Sequence, residues 1–255
     1  MTTTQTAPAS KPAPPATAAA ASGLPHDPQP RDLRWELAAA LRFLGSLGYE
    51  FGFNGHVSAR DPERPGHYWV NPFGLSISAI SPDDLLLVDS AGEVVRSSTG
   101  RGINGFAGNL ALHQAVPSAE VIFHLHTPRG FQFSSLGRPL AAYTTDAALV
   151  VGLQGLTDNV WASGNGPTNV ELAAQGKRVL IQRGHGFVTW GSSVGEAAFY
   201  LWTAERAADT NLALAELDGV TTGPADAVER WALTPDLARA HFEVAFTLAE
   251  AGERP

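Results

Sequence analysis

The stretch "EVIFHLHTPRG", residues 120–130, joins an apolar run to two histidines one residue apart. Alternation along a strand places Ile122, His124 and His126 on the same face. A single histidine in a sheet is ordinarily a core residue satisfied by one hydrogen bond. Two on one face, followed by a Thr-Pro-Arg-Gly turn, are also an arrangement typical of metal ligands. The pair alone leaves both interpretations open.

A third histidine follows another apolar run. "KRVLIQ" (177–182) predicts a buried strand, which leads into the loop Arg183-Gly184-His185-Gly186. Glycine on both sides lets the backbone approach its neighbours closely and orients the ring freely. In isolation His185 is simply a loop histidine, but with His124 and His126 it completes three imidazoles at strand ends. Three protein ligands with an open coordination position are typical of a catalytic metal site.

Composition limits the classes of protein to consider. The chain has 255 residues, 44% of them hydrophobic, which is enough for one domain over residues 31–255. Residues 1–30 are rich in Thr, Ala and Pro and predict a disordered leader. The net charge of -8 argues against nucleic acid or a membrane as partner, and no apolar stretch is long enough to span a bilayer. Without cysteine, a metal must bind to His, Asp, Glu, backbone or water. We expect a cytoplasmic protein.

Helix and strand patterns alternate irregularly along the chain. Leucines recur at helical spacing from Leu33, and a capping-box pattern at Ser193 opens a long helix to about Leu217. The other predicted elements are strands in "HYWVNP" and "LLLVDSAGEVV", a short helix in "GFAGNLALHQAV" and a final helix capped by Thr234-Pro235. We therefore expect a three-layer α/β domain on one sheet.

Two further histidines are candidate site residues. His56 stands in the loop "FNGHVSAR" and is read equally well as a structural or a pocket-lining residue. His113 shares a helix face with Asn109 one turn earlier. A partly buried helix histidine is the favoured interpretation of His113, but its place just before the histidine strand leaves a substrate role open.

A glycine pattern offers one competing interpretation. Gly100, Gly102 and Gly105 match the spacing of a dinucleotide-binding loop. In that motif an acidic residue ends the second strand, where it binds the ribose, whereas Glu120 begins it. The pattern is therefore weak support for a nucleotide site.

Several segments of the sequence together resemble a known family. The segments "NGHVSARDP", "YWVNPFGLSIS", "DLLLVDSAGEVV", "GFAGNLALHQAVPSAEVIFHLHTPRG" and "RVLIQRGHGFVTWGSSVGEAA" occur in the order seen in the class II aldolase/adducin family. The resemblance implies a three-layer α/β/α fold with a central, mostly antiparallel or mixed sheet, and a homotetramer with sites at subunit interfaces. It also implies a divalent metal bound by His124, His126 and His185. In the family's sugar-phosphate aldolases that metal acts as a Lewis acid beside a cleaved C–C bond.

Three departures from the family pattern limit what carries over. The family's catalytic glutamate corresponds to Gly105, and its phosphate-binding serines to Ile103 and Asn104. Its early Gly-Asn is Gly55-His56 in this chain. Phosphorylated sugars are therefore disfavoured as substrates.

The resemblance and its departures give a set of residue roles. The hypothesis has His56 and His113 as catalytic groups, and Asn54, Gly55 and Asn109 as substrate-binding residues. We also predict that no protein carboxylate joins the three histidines on the metal, because Glu120 lies at the far end of the strand and Asp146 is remote in sequence.

Three functions follow from these observations. The first is a metal-dependent lyase (Zn²⁺, or Fe²⁺/Mn²⁺) that cleaves a C–C bond next to a carbonyl or carboxylate of a small, non-phosphorylated substrate. The second is a non-haem Fe(II) oxygenase that carries out oxidative decarboxylation of an aromatic or hydroxy acid. The third is a non-catalytic, adducin-like interaction module. The long helix, with Phe199, Tyr200 and Trp202, adds to the expectation of a homo-oligomer.

Overall fold

A central sheet of eight strands organises the chain. The computed structural model describes residues 31–158 and 167–252, so the predicted leader lies outside the described residues. The strands are β1 (His56–Arg60), β2 (Tyr68–Val70), β3 (Leu86–Val88), β4 (Val94–Arg96), β5 (Val121–Leu125), β6 (Gln154–Thr157), β7 (Val179–Gln182) and β8 (Gly186–Gly191). They lie in the order β4-β3-β2-β1-β5-β8-β7-β6. All neighbours are antiparallel except β6 and β7, which confirms the mixed, mostly antiparallel sheet.

Helices cover both faces of this sheet. They are α1 (Leu33–Ser46), α2 (Phe106–Ala115), α3 (Pro128–Ser134), α4 (Thr145–Val151), α5 (Asn169–Ala174), α6 (Val194–Leu214), α7 (Ala225–Trp231) and α8 (Pro235–Glu250). The larger core lies between one face and α1, α6 and α8, where Phe123, Leu125 and Phe187 are fully buried. A smaller core on the other face holds Ile122 and Leu112 beside α2 and α5. The predicted three-layer α/β/α architecture is confirmed.

Caps and turns account for most of the predicted element ends. Thr234 accepts a hydrogen bond from the Leu237 N–H at the start of α8, as predicted. At α6 the Ser193 hydroxyl accepts the Glu196 N–H, but the Glu196 carboxylate binds Ser192 instead of completing the capping box. Helix α6 also ends at Leu214, three residues before the predicted end.

The aromatic residues of α6 do not have the role in assembly that the sequence suggested. Tyr200 is fully buried, Phe199 stacks on His241 of α8, and Trp202 packs edge-on against Phe43 of α1. These side chains therefore pack within the subunit, because α1 and α8 cover the helix. They do not support the predicted oligomer.

The glycine-rich segment is not a dinucleotide loop. Strand β4, which precedes it, pairs antiparallel with β3 at the sheet edge, so no parallel strand–helix–strand crossover surrounds Gly100–Gly105. Within the described ranges, no helix is both long enough and apolar enough to cross a membrane.

Candidate metal centre

Three histidines meet where strands β5 and β7 end and strand β8 begins. His124 lies on β5, His126 follows directly after it, and His185 lies in the tight turn between β7 and β8. Strand β5 pairs with β8, so the turn that carries His185 reaches the end of the histidine strand. One ligand atom from each of the three rings lies within 4.8 Å of the other two. The predicted triad is therefore assembled in space.

The hydrogen bonds of His124 leave one nitrogen ready for a metal. Its Nδ1 lies 2.9 Å from the Phe187 carbonyl oxygen, which can only accept, so Nδ1 carries the proton. Its Nε2 is buried and has no hydrogen-bond partner among the residues that the structure describes. A buried nitrogen lone pair without a partner is costly, and a metal ion would satisfy it. The donor set therefore fits a divalent metal bound by neutral imidazoles.

Burial keeps these imidazoles in the form that binds metals. Desolvation lowers the pKa of His124 well below its ordinary value of 6.5, and the neighbouring histidines act in the same direction. Desolvation also lowers the pKa values of half-buried His126 and His185. Since only the neutral ring has a lone pair to offer, the triad does not need to lose protons at neutral pH to accept a metal.

A fourth histidine lies against the triad. His56 pairs with His124 across β1 and β5, and their ring centroids are 4.9 Å apart. Desolvation, together with His185 and His126, lowers the pKa of His56 to about 4. Sequence reasoning proposed His56 as a pocket residue, but only the pairing of β1 with β5 brings its ring to His124.

Two glycines make room for this arrangement. Gly105 has a φ of +71°, and a Cβ there would lie 2.5 Å from the His56 Nδ1. Gly55 has a φ of +112°, and a Cβ there would lie 2.8 Å from the Leu125 side chain and 3.0 Å from the His124 carbonyl oxygen. Side chains rarely adopt such φ values, so both positions require glycine. The His56 ring occupies space that any side chain at position 105 would need.

Asn54, the predicted substrate-binding residue, lies at the edge of this region. Its N–H donates to the Phe51 carbonyl oxygen, which closes the turn before Gly55. Its side chain is half-buried. It is thus next in the chain to the glycine that packs on the ligand strand.

Asn109 and His113 form a separate network with Ser58 on β1. The His113 Nδ1 donates to the Ala119 carbonyl oxygen at 2.7 Å, so its Nε2 accepts from the Ser58 hydroxyl at 2.8 Å. The same hydroxyl accepts from the Asn109 side-chain amide at 3.0 Å. Both ring nitrogens of His113 are thus used within the protein. The structure does not bring Asn109 or His113 into the histidine triad.

This network makes stability depend on pH. Burial lowers the pKa of His113 to about 4, with the Arg60 guanidinium acting in the same direction and the Tyr68 ring packed alongside. The unfolded chain takes up a proton near pH 6.5, but the folded ring does so only near pH 4. The contribution of the neutral His113 ring to the free energy of unfolding is therefore complete above pH 6.5. It is lost as the pH falls toward 4, and the loss amounts to at most about 3 kcal/mol.

We therefore expect the His113→Gln variant to show a weaker loss of stability between pH 7 and pH 4.5 than the unmodified protein. Urea unfolding of both proteins, without added metal, measures the two differences in unfolding free energy. Equal differences would contradict the assignment of a neutral, buried His113.

A buried carboxylate that sequence reasoning missed holds the turn after His126. Glu205 of α6 accepts hydrogen bonds from the N–H groups of Arg129, at 2.6 Å, and of Gly130. These bonds satisfy the first N–H groups of α3 and tie the turn to the core. A lone glutamate among alanines at the centre of α6 was the available signal, but its partner was not readable from the sequence.

No described carboxylate belongs to the histidine group. The group within residues 31–158 and 167–252 contains His124, His126 and His185 alone. Asp146, the carboxylate considered from sequence, forms an exposed ion pair with Arg206 at 2.8 Å. The absence of a carboxylate from the metal itself stays a prediction.

Comparison with known proteins agrees with the fold. Residues 35–212 match the family described as the class II aldolase and adducin N-terminal domain. The structure resembles L-fuculose 1-phosphate aldolase from Glaciozyma antarctica PI12, with a TM-score of 0.76, 28% identity, and 91% and 98% of the two chains covered.

Two relatives are named for reactions. Decarboxylase NovR from Streptomyces niveus is 31% identical over 66% of this chain and 64% of its own length. The 4-hydroxy-3-prenylphenylpyruvate oxygenase/4-hydroxy-3-prenylbenzoate synthase of Streptomyces roseochromogenus subsp. oscitans is 29% identical over 76% of this chain and 72% of its own. With a family match that spans most of its length, the chain belongs to the class II aldolase/adducin family.

Proposed function

We propose that this protein is a metal-dependent lyase that cleaves a C–C bond next to a carbonyl or carboxylate of a small, non-phosphorylated substrate. The observation that carries the proposal is the buried Nε2 of His124 within the triad, which has no hydrogen-bond partner in the described part of the chain. An interaction module has no use for this costly arrangement, whereas a metal site requires it.

The triad defines the kind of metal ion that the protein would bind. His124, His126 and His185 would bind one divalent cation, with Zn²⁺, Fe²⁺ and Mn²⁺ as candidates. Such an ion supplies a Lewis acid that withdraws electron density from a substrate oxygen. Because the three imidazoles are neutral, they leave the full positive charge of the ion to attract a substrate carboxylate or carbonyl.

His56 is the proposed proton-transfer group. In a decarboxylation the electrons of the broken bond stay on the substrate carbon, which then needs a proton. In a retro-aldol cleavage the substrate hydroxyl loses one. A neutral imidazole has both an N–H and a lone pair, so His56 can serve in either direction. This role would replace that of the glutamate that Gly105 cannot provide.

The loop before His56 has a supporting role in the proposal. Gly55 brings the loop against the ligand strand, and Asn54 beside it offers an amide to the substrate. Asn109 and His113 act indirectly, because their bonds to Ser58 hold β1 and therefore the backbone that carries His56. His113 is thus proposed as a positioning residue, in place of the catalytic role predicted from sequence.

The named relatives favour decarboxylation as the lyase reaction, since one is a decarboxylase. The second candidate is an oxidative decarboxylation, favoured by the similarity to a relative named as an oxygenase. An open position on Fe²⁺ held by histidines is compatible with dioxygen chemistry. The two functions differ in whether the reaction consumes oxygen.

Turnover with and without oxygen separates these functions. Metal-free protein is reloaded anaerobically with Zn²⁺, Mn²⁺ or Fe²⁺ and screened with aromatic carboxylates and hydroxy-keto acids. We expect equal turnover in the absence and presence of oxygen. Oxygen consumption matched to product would establish the oxygenase instead, and failure of every metal-loaded form to act would favour the non-catalytic module.

Assembly into a homotetramer stays part of the proposal. The support on the subunit surface comes from exposed aromatic residues just before His56. Phe51 and Phe53 are mostly exposed, and the Phe53 ring contacts that of Phe73 at 4.8 Å between centroids. A second subunit that covered these rings would bury apolar surface close to the metal site.

A further inference from the structure

Glu205 is a carboxylate that is buried on α6 and binds the backbone just after the triad strand. It is 3% exposed, and each of its two oxygens accepts one N–H group, from Arg129 at 2.6 Å and from Gly130. Desolvation raises the pKa of Glu205, so a charge is costly there. Helices α4 and α8 of the same chain begin on the uncharged hydroxyls of Thr144 and Thr234. The costly carboxylate therefore indicates a role beyond starting the short helix α3.

The chain between these two bonds and His126 is short and stiff. Only Thr127 and Pro128 separate His126 from Arg129. The Pro128 ring fixes its own φ, and a residue before proline is confined to extended backbone, as Thr127 is with a φ of -67° and a ψ of 142°. A displacement of the Arg129 N–H group is therefore passed on to the backbone of His126, since neither intervening residue can rotate freely.

His126 depends on this turn more than His124 depends on it. His124 lies within β5, and its ring bonds to the Phe187 carbonyl oxygen at 2.9 Å. His126 lies past the last residue of β5 and is half-buried. The turn packs closely on β8, because a Cβ at Gly130 would lie 2.8 Å from the Phe187 ring and 2.6 Å from the Thr127 Oγ1. The segment that carries His126 is thus held between α6 on one side and β8 on the other.

We infer that Glu205 is a positioning residue of the metal site, which acts through the turn at residues 127–130 to hold the His126 ring toward an ion shared with His124 and His185. The inference rests on the proposed function, because it assumes that the triad binds a metal. It goes beyond that function by making metal affinity depend on a carboxylate that lies outside the group of candidate ligands.

Cobalt(II) binding to the metal-free full chain tests this inference. Imidazoles bind Co²⁺, and its visible absorption depends on the number and geometry of its ligands. Glu205→Gln keeps the size of the side chain but offers one acceptor oxygen to the two N–H groups. We expect it to weaken Co²⁺ binding by about 10- to 100-fold, as for other groups that orient metal ligands, and to change the absorption of bound Co²⁺. Competition with a chelator measures the affinity.

Asn211 provides the matched control. It is also buried on α6, and its side-chain amide bonds to the Ala141 N–H and carbonyl oxygen at 2.8 and 2.9 Å. Asn211→Ala should destabilise the metal-free protein in urea unfolding but leave the Co²⁺ affinity and spectrum unchanged. If Glu205→Gln does not fold, Glu205→Asp, which draws both oxygens back by one methylene, must weaken Co²⁺ binding and change the spectrum.

Two results would overturn this inference alone. One is a folded Glu205 variant with the Co²⁺ affinity and spectrum of the unmodified protein. The other is an Asn211→Ala variant that weakens Co²⁺ binding as much as Glu205→Gln does, because the effect would then follow from lost stability. Unmodified protein that binds no Co²⁺ overturns the proposed function beneath the inference.

Discussion

The His124→Ala variant should lose its bound metal and, with it, its turnover. His124 is the most buried member of the triad, and no residue within 31–158 and 167–252 forms a hydrogen bond with its Nε2. Changes to groups that merely orient metal ligands cost about 10- to 100-fold in affinity, so loss of a ligand should weaken metal binding by more than about 100-fold. Metal analysis after dialysis and a turnover assay measure the two effects.

His241→Ala is the control for this variant. His241 is an exposed histidine of α8 that stacks on Phe199 and has no part in the triad. It should leave metal content and turnover unchanged. If His124→Ala folds and retains the metal content of the unmodified protein, His124 is not a ligand.

The second large effect is expected at His56. Its replacement by alanine should lower kcat by about 100- to 10,000-fold, the range for loss of a general acid or base. The metal content should stay unchanged, because His56 lies outside the triad. This combination separates proton transfer from metal binding. A variant that keeps its kcat, or that loses the metal along with it, would contradict the role given to His56.

Gly105 provides a steric check on the same assignment. Gly105→Glu alone should be the more damaging change, because its Cβ would lie 2.5 Å from the His56 Nδ1 and its φ of +71° strains any side chain. Adding His56→Asn recreates the family's pair of residues and replaces the ring with a shorter side chain that can turn away from the new Cβ. The double variant should therefore be more stable than Gly105→Glu in urea unfolding, and an equal or lower stability would contradict the packing described.

The sequence revealed the triad because its signal is local. His124 and His126 share one strand face, and the glycines around His185 mark a turn at the end of a buried strand. Strand alternation and turn chemistry act over a few residues, so they can be read directly. The family resemblance then supplied the sheet and the layer architecture, which the structure confirms.

Contacts between residues far apart in the chain could not be predicted from the sequence. The contact of His56 with His124 depends on the register of β1 against β5, across more than sixty residues. Helix α3 was not predicted either, because "PRGFQFS" has proline and glycine where helical periodicity would be sought. The N–H groups of Arg129 and Gly130 at the start of this helix donate to the Glu205 carboxylate, about 75 residues further along the chain.

The aromatic residues of α6 were wrongly taken as support for a homo-oligomer. They are unusually large for an exposed helix face, which motivated the prediction of a subunit interface. The structure buries Tyr200 and half-buries Phe199 and Trp202 against α8 and α1, because the helix is covered on more than one side. A hydrophobic pattern shows that a face is buried, but not whether the covering surface belongs to the same chain.

The central claim is that three imidazoles hold one divalent ion. It is tested most directly by X-ray absorption spectroscopy, together with metal analysis, on anaerobically purified or reconstituted protein. The account predicts one ion per chain, a spectrum with three imidazole nitrogen ligands, and no carboxylate from the protein. Protein that takes up no stoichiometric metal, or a spectrum that requires fewer imidazoles, would contradict it.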